Sequence, residues 1–478
     1  MEMIKCEPVQ VFEWFDKICK IPHGSGHVKE IADFLMDFAK ERGLEAFRDN
    51  NNNIIIRKEA SKGYESAEMI ALQAHMDMVC EKAPDADIDF LTDPICPIVD
   101  GDWIRTDGTT LGADDGIGVA MILAVLSDDS LKTPAIEAII TSDEEIGLLG
   151  AQSLDGELIK SRKLINLDSE EKDVLICGCA GGQRVHSTIP VTFENTCGNI
   201  TEIRVSGLEG GHSGTNIVKE SANAIVILTR LLQAGLDKGV ARLVSFEGGN
   251  RETAIPETAS MKVLGSRAFV NEIIHLAEDL KEEYSKTDPG MEIKITPAGF
   301  ASCEALTSYD TIKTGHILMM NPNGPKFRCK DLPDIVETSI NMAIVKLSED
   351  GLFIVNSIRS SSPSRMNWYI EKIRSLTELA GGHFERFEAY PGWKYNSDSE
   401  VKNLILEAYK ELYDEEPLVT AIHAGLECGI LSDKVKGGID SVSMGPQMEG
   451  VHSPREKLSI SSTEKCYRIL IKTLELSK

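Results

Sequence analysis

Four short stretches place possible cation ligands just after apolar runs: LQAHMDMV with His75 and Asp77, LGADDGIG with Asp114 and Asp115, TSDEEIG with Glu144 and Glu145, and NLDSEE with Asp168. His75 and Asp77 stand two apart at the end of an apolar strand pattern, so their side chains share a face. His75 can then offer a neutral imidazole to a metal while Asp77 orients the ring. A surface histidine beside a carboxylate has the same spacing. The other stretches also have ordinary readings: one aspartate of the pair capping a helix, a solvated loop from Ser142, a turn at Asp168 and Ser169. Capping accounts for one of Asp114 and Asp115, not both.

Taken together the stretches say more. Ligand sites in open α/β sheets form outside the carboxyl ends of the strands. His75, Asp114, Glu145 and Asp168 would there make a negative cluster with nothing to screen it. Two divalent ions about 3.5–4 Å apart would neutralise the cluster, and His452 in GVHSPREK could complete a symmetrical ligand set. Asp143, the first acid of TSDEEIG, receives no chemical role.

Several elements must hold these residues. Helical patterns over Glu7–Lys20, His27–Arg42 and Gly116–Leu126 alternate with strand patterns over Asn53–Lys58, Met69–Ala74, Ala135–Thr141 and Lys163–Asn166, with a hairpin-like stretch between. This alternation predicts an α/β catalytic domain with a mostly parallel sheet flanked by helices. From about Gln183 strands such as Glu202–Ser206 alternate apolar and polar residues, which predicts an inserted α+β domain over 183–391. The catalytic domain would then be discontinuous, 1–182 and 392–478. Its last helix is expected to open with a capping box at Ser461 and Glu464.

Composition narrows the function classes. A formal net charge of −26 over 478 residues opposes nucleic-acid binding and suits metal cations and small substrates. There is no apolar run of about 18 residues and no signal-peptide pattern, so no membrane association is expected and a cytoplasmic location is the default. The eleven cysteines are odd in number and mostly dispersed, and read as reduced thiols.

AHMDMV, DGTTLGADDGIG, TSDEEIG, NLDSEE, GGHSG, HAGLECG and VHSP occur in this order across essentially the whole chain. In this the sequence resembles bacterial aminoacyl-histidine (cytosol non-specific) dipeptidases, within the dizinc peptidases that include carnosinases, aminoacylases and glutamate carboxypeptidases. The resemblance implies that His75 and Asp168 bind one metal, Glu145 and His452 the other, and that Asp114 bridges them. Asp77 would support His75. Glu144 would be the general base, taking a proton from metal-activated water as hydroxide attacks the carbonyl, and passing it to the leaving amine.

The same resemblance assigns substrate contacts to an inserted lid that closes over the ligand. His212 in LEGGHSG would stabilise the oxyanion, and Arg359 in VNSIRSS would grip the terminal carboxylate. In HAGLECG, His423 and Glu427 stand beside glycines that bring backbone close to a substrate. Glu427 could receive a free amino group, although a structural, hydrogen-bonded glutamate accounts for it equally. Thr253 stands where better-known relatives have an asparagine, which leaves the contacts there open. His23 has family-like surroundings without a ligand role, and His186, His275, His316 and His383 read as structural.

Two divalent metal ions per chain are implied, zinc by family default, with manganese or cobalt accepted by the same donors. The implied substrates are small unblocked dipeptides, including Xaa-His and β-alanyl-histidine. An aminoacylase- or carboxypeptidase-type amidohydrolase is the alternative enzyme, and a non-catalytic metal-binding relative the remaining one. The lid could pair between subunits of a homodimer or fold back within one chain.

Overall fold

The computed structural model describes residues 4–478, the side chain of Glu388 excepted. The chain divides into two compact units. One runs to Cys179 and resumes over Trp393–Ala421 and Leu426–Lys478; the other comprises Ala180–Gly392 and Ile422–Gly425. The second unit thus begins at Ala180 rather than 183, ends at Gly392 rather than 391, and also takes four residues that the sequence reading placed in the first. Local bonding explains that addition: the Ile422 carbonyl accepts from Ala180 N–H at 3.1 Å, and His423 meets Ser339 at 2.7 Å.

The first unit is built on eight strands: β1 (Glu45–Arg48), β2 (Ile54–Lys58), β3 (Ile70–His75), β4 (Ile136–Thr141), β5 (Lys163–Asn166), β6 (Val174–Cys179), β7 (Leu418–Ile422, its last residue counted with the second unit) and β8 (Asp440–Ser443). Their order in the sheet is β1-β2-β4-β3-β5-β8-β6-β7. The four central strands β4, β3, β5 and β8 are mutually parallel, while β1–β2, β2–β4 and β8–β6 pair antiparallel. The parallel character is therefore a property of the centre. Every residue of β3 and β4 is buried, as befits mostly apolar strands covered on both faces, and their polar members Gln73, Glu137 and Thr141 are hydrogen-bonded there.

Register decides what leaves the sheet where. His75 is paired with Thr141, Gln73 with Asn166, and Asn166 with Ser443. The segments after β3, β4 and β5 therefore emerge along one edge, carrying Asp77, Glu144–Glu145 and Asp168. Helix Ala113–Ser127 is apolar on all faces and buried through Leu126. Gly116 faces Phe15 and Ile18 of helix Val9–Ile18.

A four-stranded antiparallel sheet brings distant segments together. Ile98–Asp100 and Trp103–Arg105 form a hairpin that overlaps only the start of the hairpin-like stretch DGDWIRTDGTTLGADDG, and Trp103–Arg105 also pairs with Lys457–Ser459, which pairs with Met448–Glu449. His452 lies in the loop between the last two strands. The final helix, Ile460–Leu476, is capped by Ser459 and not by Ser461: Ser459 Oγ accepts from Ser462 N–H at 3.2 Å. Ser461 bonds Asp102 instead, and Glu464 pairs with Arg468.

The second unit carries a nine-stranded antiparallel sheet, packed with helices Ala224–Lys238, Arg267–Glu283, Ser308–Met320 and Pro363–Leu379. The expected short strand at Glu202–Ser206 is the end of a longer one, Phe193–Ser206, paired along its length with Glu292–Leu306. Phe246, Phe269, Ile225, Leu228 and Ile273 form its core, closed by the cap that Asn223 gives to Ile225 and Val226 N–H. His186, His275, His316 and His383 lie on its strands and helices, outside any metal-holding group found among the described residues. All eleven cysteines are free, and no helix among the described residues is long and apolar enough to cross a membrane.

Candidate metal centre and active site

Asp114 and Asp115 begin helix Ala113–Ser127 with non-helical backbone, and the peptide joining them is cis. They do different work. Asp115 is the cap: Oδ1 accepts from Gly118 N–H at 3.2 Å and Oδ2 from His75 N–H at 3.3 Å. Asp114 faces the histidines, with Oδ1 3.2 Å from His75 Nε2 and Oδ2 3.0 Å from His452 Nε2. His75 Nε2 is also 3.3 Å from Asp168 Oδ1, and His452 Nε2 is 2.8 Å from Glu145 Oε1. The five residues thus sort into two pairs, His75 with Asp168 and Glu145 with His452, each given one oxygen of Asp114.

Asp77 reaches His75 through two groups. The nearer partner of His75 Nδ1 is the Asp77 backbone carbonyl at 3.0 Å, with the carboxylate at 3.5 Å. With Nδ1 donating, Nε2 faces Asp114 and Asp168 and bonds them through its proton, which a cation would have to displace to reach the lone pair. The Asp77 carboxylate mainly fixes the turn after β4, accepting from Glu144 N–H at 3.0 Å, Glu145 N–H at 3.3 Å and Ser25 Oγ at 2.7 Å. Asp143 also has a partner: in left-handed backbone (φ 50°), it accepts Gly26 N–H at 2.6 Å. The first acid of the triplet fastens the turn, while the third meets His452.

The electrostatics show a cluster short of positive charge. Burial and the negative charges around it push Glu144 well above the ordinary carboxylate range; Asp168 is pushed up to about 7, by burial against the pull of His75. His452 is pushed up to about 11 by its bonds to Asp114 and Glu145. On His75 burial works the other way, but Asp168, Asp114 and Asp77 outweigh it and hold the ring well above its usual value. Among the described residues, donor atoms of His75, Asp114 and Glu145, and of His75, Asp115 and Asp168, lie within 4.8 Å of one another. Imidazole and carboxylate donors this close, with two histidines as the local cations, fit borderline divalent ions.

Glu427 lies fully buried in the first unit. Its Oε2 accepts from Gln73 Nε2 and Thr141 Oγ1, both at 2.6 Å, while Oε1 has no partner among the described residues. Burial pushes its carboxyl up to about 7. These values fix a pH dependence. Unfolded carboxyls titrate near about 4, so the folded, cation-free protein holds the Asp168 and Glu427 protons more tightly than the unfolded chain. That stabilisation is lost as pH rises from about 4 through about 7. His452 acts in the same sense: its contribution is complete below about 6.5 and is lost as pH climbs toward its folded value. Chelated protein is expected to melt lower at pH 7 than at pH 5.5, and saturating zinc should remove the difference. A chelated midpoint that rises over that interval would refute this account.

The remaining residues singled out from sequence lie in the second unit. Arg359 is buried at the end of strand Gly351–Ser360, donating from Nη1 to Tyr390 Oη at 2.6 Å and from Nη2 to His212 Nε2 at 3.2 Å. Its Nε has no partner among the described residues. Both ring nitrogens of His212 face donors, Nε2 the Arg359 guanidinium and Nδ1 the Thr215 N–H at 3.3 Å, so the single lone pair of the neutral ring can serve only one of them. Burial and Arg359 lower His212 to about 4 and His423 to about 3, leaving both rings neutral at pH 7. His423 Nε2 is bonded to Ser339, so it belongs with Arg359 and His212 and not with its sequence neighbour Glu427. Thr253 contributes its carbonyl, which accepts Ser213 N–H at 2.8 Å beside His212. His23 is buried with Nδ1 on the Ile21 carbonyl, and burial lowers it, so no ligand role emerges.

Sequence reasoning left open which of Asp114 and Asp115 caps the helix, and it passed over Ser25 and Glu456. Asp115 was visible only as half of a pair. Ser25 and Glu456 act through contacts far away along the chain, and their sole local signal is proximity to His23 and His452.

An open α/β sheet whose carboxyl edge gathers two histidines and several carboxylates around a carboxylate shared between them defines a metal-dependent hydrolase. The chain belongs to peptidase family M20/M25/M40, whose pattern matches residues 71–476. It is 36% identical over 486 aligned residues to the cytosol non-specific dipeptidase of Escherichia coli (strain K12), covering 99% of each. Among solved structures it is similar to the aminoacylhistidine dipeptidase from Vibrio alginolyticus, with a TM-score of 0.93 and 35% identity over 99% of this chain and 98% of that one. Aminopeptidase PepT from Bacillus cereus shares the fold, with a TM-score of 0.57 and 18% identity over 99% of each chain.

Proposed function

We propose that this protein hydrolyses the peptide bond of small dipeptides with free termini, Xaa-His and β-alanyl-histidine among them, in the cytoplasm, with two divalent cations, zinc by preference. The division of the Asp114 oxygens between two histidine–carboxylate pairs is the observation that carries this reading. His75 and Asp168 would hold one cation, Glu145 and His452 the other, with Asp114 bridging. When bound, the cations supply Lewis acidity to a carbonyl and to water.

The chain's own groups do the rest. Glu144, fixed at its backbone by Asp77, takes a proton from water and returns it to the leaving amine; its raised affinity for protons suits both steps. Arg359, whose Nε is free to donate, binds the substrate carboxylate. His212 stabilises the oxyanion, which requires its Nε2 to exchange Arg359 for the substrate and to carry a proton. His423, whose Nδ1 has no partner among the described residues, binds substrate as well. Glu427 offers its bare oxygen to the free amino group, which separates a dipeptidase from an aminoacylase or carboxypeptidase.

A panel of free dipeptides and their N-acylated analogues, assayed after chelation and separate re-addition of zinc, manganese and cobalt, tests activity, cation and substrate class together. Preference for the acylated series would overturn the reading. Glu427→Gln is expected to raise KM for free dipeptides roughly tenfold or more, since a charge-assisted bond contributes about 1.5–3 kcal/mol, and to affect acylated analogues far less. Equal losses on both series would assign Glu427 a structural role.

A further inference from the structure

Helix Ala113–Ser127 starts without a local side chain for its leading backbone N–H groups before Asp115, and Gly112 before it offers none. Buried N–H groups must be paired. The partner comes from the other end of the chain. Glu456, 3% exposed, accepts from Leu111 N–H at 2.7 Å and Gly112 N–H at 3.2 Å on Oε2, and from Ala113 N–H at 2.8 Å and Asp114 N–H at 3.4 Å on Oε1. No ion pair of Glu456 occurs among the described residues. One carboxylate thus takes four consecutive amides, the last that of Asp114 itself.

The other side of this clasp is the His452 loop. Glu456 N–H bonds the Ser453 carbonyl at 3.0 Å and Ser453 Oγ the Gly450 carbonyl at 2.6 Å, closing a tight turn. His452 sits in it with φ 59°, a conformation that surrounding contacts must enforce on a non-glycine residue. Glu456 therefore joins the backbone that presents Asp114 to the turn that presents His452. We propose that Glu456 is a positioning residue, a clasp that sets the separation of Asp114 and His452 before any cation arrives and so fixes how the Asp114 oxygens are shared. It touches neither substrate nor cation; it acts through two residues that would hold the cations, and so rests on the ligand assignment above.

Glu137 supplies a control within the same unit. It is equally buried and accepts Lys160 N–H, Ser161 N–H and Arg57 Nε at 3.0–3.1 Å, but is joined to no candidate ligand loop. Zinc affinity of the chelated full-length protein, measured by competition calorimetry, is expected to fall about 10- to 100-fold in Glu456→Gln, the usual loss when a ligand's support is removed. In Glu137→Gln it should stay within about twofold while the thermal midpoint falls. Should Glu456→Gln not fold, hydrogen exchange on the chelated wild-type protein decides: the Leu111–Asp114 amides should exchange slowly without cation. Zinc affinity unchanged in Glu456→Gln, equal losses in both variants, or fast exchange at those amides would overturn the clasp. Zinc affinity and exchange are read without substrate, so a wrong substrate class leaves this test intact. If neither histidine–carboxylate pair binds zinc in the wild type, it is the ligand assignment that fails.

Discussion

Glu144→Gln is expected to lower kcat by about 10²- to 10⁴-fold, the contribution of a positioned general base, while leaving cation content and KM close to wild type. The geometry separates these effects. Glu144 is held through its backbone by Asp77, whereas its neighbour Glu145 is the one that meets His452. An amide at position 144 keeps the shape and removes the proton acceptor. It also relieves crowding: burial, Asp168, Glu427 and Glu145 all oppose a charged Glu144. The variant should therefore melt no lower than wild type, and in chelator somewhat higher. Steady-state kinetics on a free dipeptide, elemental analysis and a melting curve together check it. Retained turnover removes the base assignment; lost metal content moves Glu144 into the ligand set.

Asp114→Asn should have the second largest effect, and a different one. Among the described residues Asp114 is the one whose two oxygens face both histidines, so its loss impairs both pairs at once. Zinc affinity should fall by at least about 100-fold, beyond what loss of a supporting residue costs, with activity lost in parallel. The cation-free protein should suffer too. Bonds to His452 and His75 overcome burial and hold Asp114 well below the ordinary carboxylate range. A depressed carboxylate contributes stability above its unfolded value of about 4, so the loss should be present at pH 7 and vanish on acidification. Hydrogen bonds to charged groups contribute about 1.5–3 kcal/mol each, with less from the half-exposed His452. Unchanged zinc affinity in Asp114→Asn would exclude it as a bridge.

The two substitutions probe residues that differ in how far the sequence reveals them. That Glu144 and Glu145 diverge follows from extended backbone after an apolar strand, a local property. That Asp143 turns left-handed to reach Gly26 does not, because its partner lies 117 residues away. His423 and Glu427 make the same point: four residues apart in HAGLECG, they belong to different units because Ile422 and His423 bond to Ala180 and Ser339.

What the sequence determined by itself was which side chains stand at strand ends. Apolar runs, strand alternation and turn residues are encoded within a few positions, and they place His75, Asp77, Glu144, Glu145 and Asp168 along one sheet edge once the strands pair. Tertiary structure decided how those groups divide their work. Asp115 became a cap and Asp114 the shared carboxylate, Asp77 gave its carboxylate to a turn, and Glu456 reached back 345 residues to Leu111. Each of these outcomes rests on buried donors and acceptors finding one another through the fold, and no local pattern records which partner will be there.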